Sequence, residues 1–446
     1  MREQFNSIKD HLRRNQQFFL FLLLSVIFFN VFTLSGNYYH MPKDGLKDYV
    51  LIFMHWSLVS FAYLVLIYFL SLQRIVFLIV FPILNTISAM LIYHIVVFDV
   101  SVNSALIESV FNTSASEVAG LISWRLILYL VLIIIASLLF ALYRFRKIHI
   151  KNLLFHLILI LIGFGICYTA NKVRFKTISH RVPFSIYAAA NQYRHNLKLL
   201  NSEKIEITSG AKCNADTLTV VLVLGEALRA DHVGINGYSR QTTPLLAKEN
   251  VISFKNIYTK WTHTNQSIPH ILTRADSINE NLSYTEQSFI SIFKKCGFKT
   301  YWIGNQEPGN TFVNFILNCD TSIINKPLVT VYNYHKKLDE ELLPYFDIFN
   351  KQNEPLKLIV LQTIGSHWYY PSHYRDDFEY FKPVIESKTI SLEDRGKIIN
   401  AYDNTVLYTD FFISELINRL KCKNTVLIYL SDHGEVLGED GKWLHA

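Results

Sequence analysis

Near the C-terminal end of this 446-residue chain, the string YLSDHGE sets Asp432 and His433 directly after a run of apolar residues. Such a run predicts a buried strand, and past its end the backbone no longer alternates faces. Two adjacent side chains can then turn toward one point. A carboxylate and an imidazole meeting there suit a divalent metal of the zinc type. The alternative is an ordinary Asp-His turn. Glu226, in VLVLGEALRADH, ends a similar run after a glycine. It reads as a second metal ligand, or as a Glu favoured at a helix start. Thr264, in THTNQSIPH, stands near a predicted helix start. A hydroxyl held beside a metal loses its proton more readily and becomes a nucleophile, and a helix N-terminus would steady a phosphoryl group. The alternative for Thr264 is simple capping.

These residues need a scaffold that brings them together. TLTVVLVLGEA, FKTYWIGNQ, LKLIVLQTIGSHW and NTVLIYLSDHGE each read as a buried strand delivering polar residues at its C-terminal end. Helical stretches such as SFISIFKKC and YTDFFISELINRLK lie between them. The alternation predicts an α/β domain whose parallel sheet is covered on both faces. Ligands in such sheets bind beyond the carboxyl ends of the strands, where these candidates sit.

The first 170 residues are different. Five apolar stretches, Phe18–Leu34, Tyr49–Leu72, Val76–Phe98, Leu126–Tyr143 and Leu153–Ala170, are about long enough to cross a bilayer. The first has no clear small-residue cleavage site and is followed by four more, so it reads as an anchor. Arg2, Lys9, Arg13 and Arg14 precede the first span, and Arg144, Arg146, Lys147 and Lys151 cluster between the fourth and fifth. The stretch from Asp99 to Trp124 has no Lys or Arg. The N-terminus is therefore expected in the cytoplasm and everything after Ala170 outside it. Leu106, Val110, Val118 and Leu121 in that loop have helical spacing, which predicts a short helix at the membrane surface. Within it, Thr113 and Glu117 lie one turn apart and either face an active site or form a solvated loop face.

Residues 1–170 thus read as a membrane domain, 171–212 as a basic helical linker along the membrane surface, and 213–446 as a soluble domain. The formal charge of +7 is explained by membrane topology and no nucleic-acid module is evident, so no nucleic acid is expected as a partner. The five cysteines contain no CxxC pair, which disfavours a cysteine zinc site. Cys296 and Cys319 are the favoured pair for a disulfide, with free buried thiols as the equal alternative. A multispan transporter is disfavoured, because the spans hold no Asp, Glu, Lys or Arg and only three histidines, His55, His94 and His156.

Four strings, GEALRADHVGINGYSRQTTP, THTNQSIPHILTR, AYDNTVLYTD and SDHGEVLGEDGKWLHA, occur in the order and kind found in one family. The chain resembles the phosphoethanolamine transferases of the alkaline-phosphatase and sulfatase superfamily over nearly its whole length. The resemblance implies five spans followed by a periplasmic alkaline-phosphatase-like (sulfatase-type) α/β domain, in a monomer of the bacterial inner membrane. It implies Zn2+ held by Glu226, Thr264, Asp432 and His433, with Thr264 also the nucleophile. It further implies that His367 in GSHW, His445 in KWLHA, Gln306 in WIGNQ, and Thr113 and Glu117 contact the substrate.

Two departures stand out. Lys260 and His270 occupy positions where the lipid A-modifying members usually carry cysteines, so no disulfide brace is expected there. The family pattern also continues beyond Ala446, so the resemblance implies a catalytic domain shortened at its C-terminus. The implied reaction moves phosphoethanolamine from phosphatidylethanolamine to Thr264, then to a lipopolysaccharide-type acceptor. The alternatives are a phosphoglycerol transferase or an ester hydrolase of the same superfamily, and an inactive membrane scaffold.

Overall fold

The computed structural model describes residues 15–444 except 40, 42, 44, 99–101, 113–122, 174–176, 307, 310, 326–335, 387–389 and 422. The chain divides into two compact units, Met1–Ile107 with Ala115–Gln192, and Glu108–Ser114 with Tyr193–Ala446.

The first unit is helical. Helices α1 (Gln16–Asn37), α2 (Leu46–Ser71), α3 (Arg74–Phe98), α5 (Trp124–Lys147) and α6 (Leu153–Val173) contain the five expected spans. The short α4 (Ser104–Asn112) falls in the loop without Lys or Arg and carries Leu106 and Val110. In an apolar solvent, helices gain from packing and interhelical hydrogen bonds rather than from apolar burial. Here Trp56 Nε1 donates to Asn30 at 2.8 Å, Tyr63 to Asn85 at 2.9 Å, and Arg144 Nε to the Ser71 carbonyl at 2.9 Å. Of the span histidines, His156 is buried and bonded to the Tyr68 hydroxyl at 2.6 Å. Leu139 and Leu161 turn outward, as lipid-facing residues do.

The boundary between the units falls within α7 (Phe184–Leu200). The second unit is built on five parallel strands, β1 (Leu218–Gly225), β2 (Lys299–Gly304), β3 (Thr321–Ile324), β4 (Leu356–Gln362) and β5 (Thr425–Ser431), in the order β3-β2-β4-β1-β5. Alternation along β1 divides the core into two layers. Val220, Leu222 and Leu224 pack with Trp302, Leu358, Val360 and, from α8 (Thr264–Leu272), Ile268 and Leu272. Val221 and Val223 pack on the other face with Ile359 and Leu361. There they meet Phe346 of α9 (Leu343–Asn350) and Phe412 and Leu416 of α10 (Arg395–Leu420). Burial on both faces explains why these strands lack polar alternation. The short β3 and the hairpin of β6 (Val436–Leu437) and β7 (Trp443–Leu444) were not foreseen.

The expected disulfide is absent. Cys296 and Cys319 are both free thiols. They pack in the apolar layer under α8, and the Cys319 Sγ–H points to the Phe315 carbonyl at 3.7 Å. Burial pushes the Cys319 thiol up to about 12, so it behaves as a small apolar residue.

Leu361 is fully buried between β4 and the α9–α10 layer. Leu361→Ala should lower the stability of the second unit by about 2–5 kcal/mol. The check is chemical denaturation of the detergent-solubilised protein followed by tryptophan fluorescence; an unchanged midpoint would contradict this packing.

Candidate active site

Strands β1 and β5 are neighbours, with Gly225 opposite Ser431. The next residues in each strand are Glu226 and Asp432, so the register alone sets two carboxylates side by side. The Asp432 N–H donates to the Gly225 carbonyl at 3.0 Å, continuing the ladder one step. After Glu226 the chain turns through Ala227, whose φ is +54°. A side-chain-bearing residue rarely adopts that conformation, and it persists only where its surroundings hold it. Asp432 Oδ1 accepts from Ala227 N–H, Ser431 Oγ from Leu228 N–H, and the Tyr402 hydroxyl donates to the Ala227 carbonyl at 2.7 Å.

Glu226, Asp432 and His433 are all buried, with one ligand atom from each within 4.8 Å of the others. His433 Nε2 lies 3.2 Å from Glu226 Oε1 and 3.6 Å from Asp432 Oδ2. Its Nδ1 donates to the Gly434 carbonyl at 2.7 Å, which turns Nε2 toward the carboxylates. Burial pushes Asp432 up to about 7, and the neighbouring Glu226 charge adds to the effect. Burial opposes a charge on Glu226 too, but the hydrogen bond and charge of His433 prevail and hold its carboxyl below the usual range. The imidazole, despite burial, is held up to about 10 by Asp432 and Glu226. Two buried carboxylates and an imidazole converging in this way could hold a metal ion. Asp432 Oδ2 accepts no hydrogen bond among the described residues, as expected of an oxygen reserved for an ion.

Thr264 opens α8, and its hydroxyl donates to Glu226 Oε2 at 2.9 Å. The structure therefore brings Glu226, Thr264, Asp432 and His433 to one point. Gln306 joins them. Its amide donates to Glu226 Oε2 at 2.9 Å and to the Thr363 carbonyl at 2.7 Å, so it orients a ligand carboxylate.

His367 lies on the adjoining loop after β4. Ser366 N–H donates to the Glu226 carbonyl at 3.0 Å. Gly365 has φ +47°, and a Cβ there would meet the Glu226 carbonyl oxygen at 2.8 Å, so only glycine fits this crossing. Buried Asp339 accepts from the N–H groups of Ile364 and Gly365 and from Asn305. His367 Nδ1 donates to the Trp368 carbonyl at 2.6 Å, and the ring is close enough for its charge to act on Glu226. Thr113, Glu117 and His445 lie outside the described residues.

Sequence reasoning missed three nearby groups. His263 caps α8; burial, then the charge of His433, holds it down to about 4. Glu435 is buried, accepts from the Tyr370 hydroxyl at 2.7 Å, and is pushed by burial up to about 8. Asp339 is the third. The first two adjoin residues that were recognised, but neither has an apolar run before it to mark it as a strand-end group.

The Sulfatase family model matches residues 218–446, and the model for phosphoethanolamine transferases EptA/EptB matches residues 59–180. The chain is 28% identical to phosphoethanolamine transferase EptA of Escherichia coli K12, over 96% of this chain and 82% of that protein. It is 32% identical to the Kdo(2)-lipid A phosphoethanolamine 7''-transferase of the same organism, over 57% of this chain and 45% of that one. Among solved structures, the integral membrane lipooligosaccharide phosphoethanolamine transferase A (EptA) of Neisseria meningitidis matches with a TM-score of 0.77 and 26% identity. The match covers 95% of this chain and 84% of that one. The chain belongs to the phosphoethanolamine transferases of the sulfatase family. With its five apolar helices, this transferase is an inner-membrane protein whose C-terminal catalytic domain is periplasmic.

The site makes two predictions for this transferase. Asp432→Asn or Glu226→Gln should lose bound metal, and Gln306→Ala should weaken its affinity about 10- to 100-fold by freeing the Glu226 carboxylate. Metal analysis by mass spectrometry after dialysis against graded chelator reads this; full occupancy in Asp432→Asn would remove that residue from the site. Metal uptake must also displace the proton held by His433. Affinity should therefore rise with pH across the neutral range and fall in acid, with proton release measurable by calorimetry in buffers of different ionisation enthalpy.

Proposed function

We propose that the protein transfers phosphoethanolamine from phosphatidylethanolamine to a lipopolysaccharide-type acceptor, lipid A or a core sugar, through a Thr264-linked intermediate. The observation that carries this reading is the Thr264 hydroxyl, bonded to Glu226 at the head of α8 and beside Asp432 and His433. A hydroxyl fixed among metal-type ligands at a helix start suits attack on phosphorus.

Glu226, Thr264, Asp432 and His433 would hold zinc; their two carboxylates, imidazole and hydroxyl fit its preference for oxygen and nitrogen donors. When bound, zinc supplies a lowered pKa at the Thr264 hydroxyl and charge neutralisation at the phosphoryl oxygens. In the first step the Thr264 oxygen forms a bond to phosphorus as the bond to the glycerol oxygen breaks. Glu226 Oε2 accepts the Thr264 proton in a hydrogen bond and is the base proposed to take it. The departing diacylglycerol takes up a proton, for which His367 and His445 are the proposed donors. In the second step an acceptor oxygen forms a bond to phosphorus as the Thr264–phosphorus bond breaks; Glu226 returns its proton to the Thr264 oxygen, and the proton of an acceptor hydroxyl passes to the histidine that protonated the diacylglycerol. Thr113 and Glu117 complete the substrate pocket in this proposal. Residues 1–170 form the anchor, 171–212 the membrane-surface linker and 213–446 the catalytic domain of a monomer. The lipid donor accounts for the anchor, since the headgroup is presented only at a bilayer surface.

Incubated with phosphatidylethanolamine in detergent and no acceptor, the protein should gain one phosphoethanolamine group by intact-mass analysis, mapped to Thr264. Thr264→Ala should lose the adduct while keeping its fold, and Thr264→Ser should retain part of the activity. An adduct on Thr262 or Ser267 would overturn the nucleophile assignment. Headgroup released to water without any adduct would favour a hydrolase.

A further inference from the structure

Glu108, in α4 between the third and fourth spans, belongs to the second compact unit and is buried there. Its Oε1 accepts from the Thr311 N–H at 3.0 Å. No Lys or Arg pairs with it among the described residues. A buried carboxylate of this kind is costly, and stability alone would place an apolar residue there.

What Thr311 does gives the carboxylate a purpose. Helix α8 contains Pro269, which has no N–H to offer the carbonyl of Asn265 four residues earlier. That carbonyl, in the residue directly after Thr264, lacks its normal helical partner. The Thr311 hydroxyl donates to it at 2.8 Å. Gly309 lies against the same residue, so close that a Cβ there would clash with the Asn265 Oδ1 atom. Two residues past Thr311, the chain enters the Val313–Asn318 helix, with Phe312 buried in the layer under α8. Three residues before Gly309, Gln306 binds Glu226.

We propose that Glu108 is a positioning residue for Thr264: it fixes Thr311, which in turn holds the first turn of α8 where Pro269 leaves it open. The inference rests on Thr264 being the nucleophile. Burial raises the Glu108 carboxyl to about 7, with the Thr311 N–H opposing. An acceptor oxygen, rather than a charge, is what the contact needs, so an amide should serve as well.

The experiment compares wild type, Glu108→Ala and Glu108→Gln in the full-length protein, with labelled phosphatidylethanolamine in detergent micelles. The readouts are the rate of Thr264 modification, its dependence on donor concentration, and metal content. Glu108→Ala should slow the maximal rate about 10- to 100-fold, the size expected for a misplaced nucleophile. KM should stay within about twofold and metal content should not change. Glu108→Gln should restore most of the rate. Thr311→Val keeps the N–H but removes the hydroxyl; it should show the same loss, and Thr311→Ser the same rescue. This pair decides the matter if Glu108→Ala does not fold. A wild-type rate in Glu108→Ala, a loss confined to KM, or Glu108→Gln as impaired as Glu108→Ala would overturn the proposal. Absence of any Thr264 adduct in wild type would overturn the nucleophile reading and this one with it. An adduct formed at equal rates in all variants would overturn this one alone.

Discussion

Two carboxylates buried side by side at the ends of adjacent parallel strands set the terms for the second unit. Glu226 and Asp432 follow Gly225 and Ser431, which are paired in the sheet, so the backbone leaves them no room to separate. Like charges in a poorly solvated site repel strongly unless a cation stands between them. The imidazolium of His433 does so in the absence of metal, and the Thr264 hydroxyl and Gln306 amide supply further donors. His433, Thr264 and Gln306 thus each offer a proton or a positive charge to these carboxylates, while buried Glu435 nearby adds to their mutual repulsion.

The loops that carry these groups are held by polar side chains from α10. Asp403 accepts from His232, Tyr238 and Arg240, which clamps the segment after Glu226. Asp410 caps the N–H groups of Leu245 and Leu246 farther along the same segment. Tyr402 braces the turn at Ala227. The strings AYDNTVLYTD and GEALRADHVGINGYSRQTTP occur together because one side chain set satisfies the backbone and side chains of the other. The acceptors Asp403 and Asp410 are buried, where an unmatched acceptor costs about 1–3 kcal/mol. Most of the residues that mark the family in these strings therefore act at one remove from the chemistry.

How much of this was legible in the sequence follows from range. The strands β1, β2, β4 and β5 could be read because burial on both faces leaves an unbroken apolar run, and the polar residue ending each run marks a strand end. Glu226, Asp432 and His433 were found in that way. The four-residue β3 has too short a run to register, and the β6–β7 hairpin depends on a partner rather than on a pattern. The Cys296–Cys319 pairing failed because spacing says nothing of direction; both thiols point into apolar packing. Gln306 was expected at the substrate on the family resemblance alone, with no signal of its own for a protein partner. Only the strand order, which sets β4 between β1 and β2, shows that it meets Glu226 and the Thr363 carbonyl. Glu108 carried no signal: a lone Glu in an amphipathic stretch reads as a solvated face.

The placement of Thr264 shows why the whole sheet order matters to so small a site. Its helix is nine residues long and interrupted by proline, so it has little rigidity of its own. The hydroxyl is tied to Glu226 after β1, while the following peptide is tied to Thr311 beyond β2. The Glu226 carboxylate is in turn held by Gln306 after β2 and by the His433 imidazole after β5. These restraints come from segments far apart in sequence and converge only where the strand order turns back on itself around β1. A short, flexible element held by long-range contacts can be set within a fraction of an ångström without being rigid itself. Its buried side is anchored independently of the hydroxyl, because Ile268 and Leu272 pack in the apolar layer with Val220, Leu222 and Trp302.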